Sequence, residues 1–184
     1  MTILLHGLRT FVKAYYKALE LAQKNKKVLV TGPQRSGTTF VSHCFSVDLG
    51  VDHIDEDDYT IDNLDLLADK ILGKDSYVIH GPGVLHKVKD ILEICADIFI
   101  VVMLRNPDEI IQSQTRINWN ENEAKERTNM QDSRPYSTVQ YERWNETKKS
   151  LDPEQYIEIP YLAMKNHALW IEQRKNFSPR QWSP

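Results

Sequence analysis

The stretch Thr31-Gly32-Pro33-Gln34-Arg35-Ser36-Gly37-Thr38-Thr39 concentrates more potential chemistry than any other part of this sequence. Small residues let a backbone wrap closely around an anion, and the first N–H groups of a following helix have no partner inside it. Ser36, Thr38 and Thr39 add hydroxyl donors, and Arg35 adds a permanent charge with a planar fork. This donor set suits an anion such as phosphate. A second cation, Arg105, leaves the apolar run 98–104, with Asn106-Pro107 next and Ser113 eight residues on. His80 ends another apolar run, and a near-neutral imidazole there suits taking a proton from an attacking hydroxyl. His86 is a further imidazole in a segment with helical patterning.

The elements that must position these groups are legible in the patterning. Leu8, Phe11, Val12, Tyr15, Ala18, Leu19 and Ala22 recur at helical spacing and predict an N-terminal helix within residues 1–25. Val28-Leu29-Val30 is a short buried strand broken at Gly32-Pro33, and a helix is expected from Gly37 to about Leu49. Val51 to Ile54 and Ser76 to His80 suit strands, and 62–72 and 84–96 suit helices. Ile98 to Leu104 is an unbroken apolar, β-branched run of the kind that parallel sheets bury on both faces. Pro107 falls at the first turn of the next helix, where a missing N–H costs nothing. Residues 119–135 are polar and read as a mobile loop or irregular helix. A helix from Ser137 to Leu151, a strand from Tyr156 to Ile159 and a helix from Tyr161 to about Arg174 complete the chain. Strands alternating with helices imply an α/β fold with a parallel sheet covered by helices on both faces.

The spacing of Gly32 and Gly37 matches the ATP-type phosphate loop, but Thr38 stands where that loop has its lysine. An enzyme that grips β- and γ-phosphates loses its main cation by that change. Pro33 together with Arg35-Ser36-Gly37-Thr38-Thr39-Phe40 instead resembles the 5′-phosphosulfate loop of sulfotransferases that use 3′-phosphoadenylyl sulfate (PAPS), with one extra residue between Pro33 and Arg35. The resemblance implies that Arg35, Ser36, Gly37, Thr38 and Thr39 bind the 5′-phosphate side. It also places Phe40 where cytosolic members carry an adenine-stacking aromatic, although a core role on the first helical turn is equally open. Arg105-Asn106-Pro107 with Ser113 resembles that family's 3′-phosphate element, and His80-Gly81-Pro82 resembles the strand end that delivers its base. The family's lysine is missing there, with Val78 in its place. Tyr161-Leu162-Ala163-Met164 resembles a late strand end without its acidic pair, and Arg174, Lys175 and Trp182 resemble a C-terminal cofactor segment without its glycines.

The resemblance implies a three-layer P-loop-like domain over residues 1–184. Its reaction is sulfuryl transfer from PAPS to a hydroxyl or amine, releasing adenosine 3′,5′-bisphosphate without a metal. His80 and Arg35 are the catalytic residues it implies, with Asp55, Glu56, Asp57 and Asp58 as rival bases. A P-loop small-molecule kinase and a non-catalytic nucleotide-binding module are the alternatives, and metal dependence separates the kinase. Composition sets the outer bounds. With 184 residues, 41% hydrophobic and 27% charged, the chain is ordinary for one globular domain. A net charge of -3 argues against a general nucleic-acid binder while permitting a local basic pocket. Cys44 and Cys95 sit in apolar patterns and read as buried thiols rather than a disulfide framework. No apolar run approaches the ~20 residues of a membrane span, and Met1 to Leu5 lacks the marks of a secretory signal. The expected compartment is cytoplasmic.

Overall fold

The computed structural model describes residues 13–59, 64–127, 130 and 132–169. Five strands form a parallel sheet: β1 (Lys27–Gly32), β2 (Asp52–Ile54), β3 (Tyr77–Pro82), β4 (Phe99–Leu104) and β5 (Tyr156–Pro160), in the order β2-β3-β1-β4-β5. The helices are α1 (13–22), α2 (Thr38–Leu49), α3 (Leu64–Ile71), α4 (Val88–Ile94), α5 (Pro107–Arg116), α6 (Glu121–Arg127) and α7 (Tyr136–Thr147). The expected α/β class is therefore present, with helices on both faces.

Alternation along the strands decides which face each side chain serves. Val28, Val30, Val78, Phe99, Val101 and Met103 point to one face and pack with Tyr15, Ala18, Ala22, Val41, Cys44 and Phe45 of α1 and α2. Leu29, Ile79, Ile98, Ile100 and Val102 point to the other, against Leu67, Ile71, Val88, Ile91 and Trp144. Fully burying one large aliphatic side chain stabilises by about 1.5–3 kcal/mol. Both layers thus contribute, and the three central strands read as continuous apolar runs because neither face meets water. Cys44 and Cys95 are free and buried, as their patterning implied.

The connections place the site. β1 is followed by α2 and leads to the edge strand β2, whereas the neighbouring β4 leads through α5–α7 to β5 on the opposite side. Adjacent strands whose connections part in this way open a crevice at their carboxyl ends, where open α/β sheets bind ligands. The loop of residues 33–37 follows β1 and Arg105 follows β4, so both open onto that crevice. Pro107 opens α5, and the Asn106 side chain accepts the Asp108 N–H as its cap.

Several boundaries differ from the sequence expectation. Residues 121–127 form a helix, and Trp119, Met130, Tyr136 and Val139 build a small apolar cluster around it. Polar composition concealed these few anchors. Tyr161–Asn166 is a tight 3-10 turn, broken at His167 rather than a helix running on from Tyr161. Leu8, Phe11, Val12, residues 62 and 63, Arg174, Lys175 and Trp182 lie outside the described residues. Among the described residues no helix is long and apolar enough to cross a membrane.

Candidate functional site

The loop after β1 is built to keep donors open. Gly37 has φ 100, a left-handed conformation that L side chains avoid, and a Cβ there would lie 2.8 Å from the Tyr161 ring. It is the N-cap of α2, with no side-chain cap. A Ser or Asp cap would consume N–H groups that an anion could otherwise take. The Ser36 hydroxyl is buried and has no hydrogen-bond partner among the described residues. An orphaned buried hydroxyl costs about 1–3 kcal/mol, and a phosphate oxygen at the loop would satisfy it.

The structure brings Ser113 and Arg105 onto this loop. Arg35 Nε donates to Ser113 Oγ at 3.2 Å, and Arg105 Nη1 donates to the Arg35 carbonyl at 2.7 Å. Gln114 Nε2 reaches the Gln34 carbonyl at 3.4 Å. Ser113 therefore neighbours Arg35, although the sequence spacing had paired it with Arg105. Arg35 itself has φ 72 and reaches solvent at the loop tip. Burial by the surrounding chain, then the like charges of Arg105 and Arg116, lower its pKa. Converging cations of this kind favour an anion between them.

Arg105 is held from several sides. Its Nε donates to Glu109 at 3.1 Å, and its guanidinium lies 4.3 Å from the Tyr161 ring centroid. The Tyr141 hydroxyl donates to the Met103 carbonyl at 3.0 Å and accepts the Arg105 N–H at 2.9 Å, fixing the end of β4. A cavity of about 460 Å³ opens beside these groups, lined by Arg105, Glu109, Tyr141, Trp144, Tyr161 and Leu162. Small-molecule sites span about 300–1,000 Å³. Tyr141 as a clamp on the β4 end was not foreseen, since a Tyr on an amphipathic helix carries no distinguishing signal.

His80 sits on the other side of the loop. Its Nδ1 lies 3.0 Å from Asp55 Oδ1, and its Nε2 lies 3.1 Å from the Thr38 hydroxyl and 3.3 Å from the Thr39 hydroxyl. A carboxylate only accepts, so this network assigns the proton to Nδ1 and the lone pair to Nε2. The ring is buried at 1% exposure, and Tyr59 donates to the His80 carbonyl at 2.9 Å. Burial lowers the His80 pKa, against the opposing pull of Asp55. Partial burial pushes Asp55 up, but the bonds from His80 and the Glu56 N–H hold its carboxyl below the usual range overall.

The sequence had set Asp55 and His80 as rivals; they are partners. The parallel register pairs Ile54 of β2 with Ile79 of β3, so the next residues, Asp55 and His80, emerge side by side. Of the other carboxylates, Asp58 caps the Asp55 N–H and pairs with Lys70. Asp57 is exposed. Glu56 also keeps an exposed side chain, yet the chain crowding it, then Asp55 and Asp57, push its carboxyl up to about 7. His86 Nδ1 lies 3.1 Å from the Gly83 carbonyl. Phe40 lies in the core beside α1 at 8% exposure.

A family model described as "Sulfotransferase family" matches residues 57–169, more than half of the chain. The matched span includes His80, Arg105 and Ser113 and begins after the loop that follows β1. No curated protein matches the chain.

Proposed function

Because the chain belongs to the sulfotransferase family, we propose that it transfers a sulfuryl group from PAPS to a hydroxyl or amine acceptor. The observation that carries this reading is the convergence of both anion elements. Arg105 bonds the Arg35 carbonyl and Ser113 Oγ accepts from Arg35 Nε, beside a buried Ser36 hydroxyl with no partner among the described residues. One molecule with anionic groups at both its 5′ and 3′ positions fits such a pair better than a simple triphosphate does. Thr38 in the lysine position argues in the same direction.

Ser36, Gly37, Thr38 and Thr39 would hold the 5′-phosphosulfate end, with Arg35 over it. Arg105 would take the 3′-phosphate. The cavity beside Tyr161 and Tyr141 is room for the nucleoside. PAPS, when bound, supplies an activated sulfuryl group on a good leaving phosphate. The acceptor oxygen or nitrogen forms the bond to sulfur as the bond from sulfur to the bridging phosphate oxygen breaks. The acceptor proton passes to His80 Nε2, the atom carrying the lone pair. Asp55 holds the ring in that tautomer and stabilises the imidazolium that forms. Arg35 and the loop donors stabilise charge growing on the phosphate oxygen, and fixed donors cost no reorganisation there.

The resting network masks Nε2 behind the Thr38 and Thr39 hydroxyls. Those hydroxyls are also phosphate donors, so occupation of the loop turns them away from His80 and frees the base. Thermal denaturation with chelator present tests the reading. Adenosine 3′,5′-bisphosphate at 100 times its dissociation constant should stabilise by about 2.7 kcal/mol. No shift with that ligand, beside a clear shift with magnesium and ATP, refutes the proposal in favour of a kinase.

A further inference from the structure

We propose that His43, His53 and Asp55 form a binding site for a divalent transition-metal ion of the zinc class. One ligand atom from each of the three lies within 4.8 Å of the other two. Two imidazoles and one carboxylate, with a position left for water, are a donor set that zinc accepts. Magnesium and calcium prefer all-oxygen surroundings. With zinc bonds of about 2.0–2.1 Å, tetrahedral ligand atoms sit roughly 3.3 Å apart, so closing the site draws the ligand atoms together and turns the exposed His43 ring out of its stack on His53.

The placement follows from the fold. His43 lies one turn beyond Thr39 on α2, while His53 belongs to β2 and Asp55 follows its end. The His43 and His53 rings are 4.2 Å apart and 19° from parallel. The surrounding bonds also fix the donor atoms. Ser42 Oγ donates to the Thr39 carbonyl at 2.9 Å, so it must accept from His53 Nε2, also at 2.9 Å. That leaves the His53 lone pair on Nδ1. A metal-ligating histidine is commonly set in this way by a partner on its other nitrogen. Asp55 is held too, because its Oδ1 accepts from the Glu56 N–H at 2.7 Å and from His80. Its Oδ2 remains for an ion.

Sharing Asp55 has a consequence, which rests on His80 acting as the base. A divalent ion on that carboxylate competes with His80 Nδ1 for Asp55 and loosens the contact that orients the base. The metal therefore inhibits transfer, and His43 and His53 form an inhibitory site outside the transfer chemistry.

The test is zinc binding to the untagged chain, measured by competition with a chromophoric chelator. One equivalent should bind per chain. Loss of the hydrogen-bond partner that orients a ligating histidine typically costs about 10–100-fold in metal affinity, so Ser42→Ala should weaken binding by that factor, and His43→Ala and His53→Ala by more than ~100-fold. His43 is exposed, so His43→Ala should melt like the parent chain, which separates lost ligation from lost folding. Failure to retain zinc, or zinc retained undiminished in both histidine variants, overturns the site. With an acceptor in hand, zinc should inhibit the parent chain and not His43→Ala, whose zinc-free rate should be unchanged. Bound zinc that leaves transfer unaltered overturns the inhibitory role. His80→Gln, assayed without zinc, decides separately whether the base is assigned correctly.

Discussion

Replacing Arg105 by Ala separates its two possible duties. The side chain is aimed into the crevice, with Nη1 on the Arg35 carbonyl and Nε on Glu109. A charge-assisted hydrogen bond to phosphate contributes about 1.5–3 kcal/mol. In the free protein the guanidinium pairs with Glu109 four residues on, a contact worth about 0.3–0.5 kcal/mol that the ligand must displace or share. The net loss on Arg105→Ala is then roughly 1–2.7 kcal/mol. At 1.4 kcal/mol per decade, affinity for adenosine 3′,5′-bisphosphate should fall about 5- to 100-fold. Titration calorimetry measures this directly, and adenosine 5′-phosphosulfate, which has no 3′-phosphate, is the control. Its affinity should start lower and change little. If both ligands weaken equally, Arg105 acts through the loop carbonyl of Arg35 and not on the 3′-phosphate. The pairing of the two anion elements would then no longer support PAPS as the donor.

Other outcomes follow from the same contacts. Glu109→Gln removes the competing carboxylate and should tighten the bisphosphate about twofold by calorimetry. Ser113→Ala removes the acceptor for Arg35 Nε, so both ligands should weaken, by the about 0.5–1.5 kcal/mol of a neutral hydrogen bond. Asp55→Asn should lower the transfer rate with little change in bisphosphate affinity. Because Asp55 opposes the burial that lowers His80, its loss should also move the acid limb of the pH–rate profile to lower pH. Gly37→Ala forces a side chain into a left-handed conformation against Tyr161, at about 1–2 kcal/mol. It should melt roughly 2–8 °C lower and bind both ligands poorly. His53, His80 and His86 all have pKa values lowered chiefly by burial, so the unfolded chain binds more protons near its ordinary histidine range of about 6.5. Their stabilising contribution is complete above that range and is lost as pH falls through the lowered folded values, which urea midpoints at descending pH would register.

The α/β class and the parallel sheet were legible from local pattern, because burial on both faces demands unbroken apolar strands such as the run Ile98 to Leu104. The turn from β1 into α2 was legible too, because glycine supplies the left-handed backbone that Gly37 adopts at the start of the helix. Arg105 with Asn106-Pro107 was legible for a similar local reason: proline stops the strand and opens the helix. Partnerships between residues far apart were not legible. Asp55 and His80 become one unit only through the register of β2 against β3, which hydrogen bonding across the sheet fixes and no local pattern encodes. Ser113 turned out to bond Arg35, because the approach of α5 to the loop depends on the whole β4-α5-α7 packing. The stacking of His43 on His53 likewise needed α2 to cross over β2. Strand identity and loop chemistry are set by neighbours along the chain, whereas which side chains share a proton or an anion is set by how the layers dock.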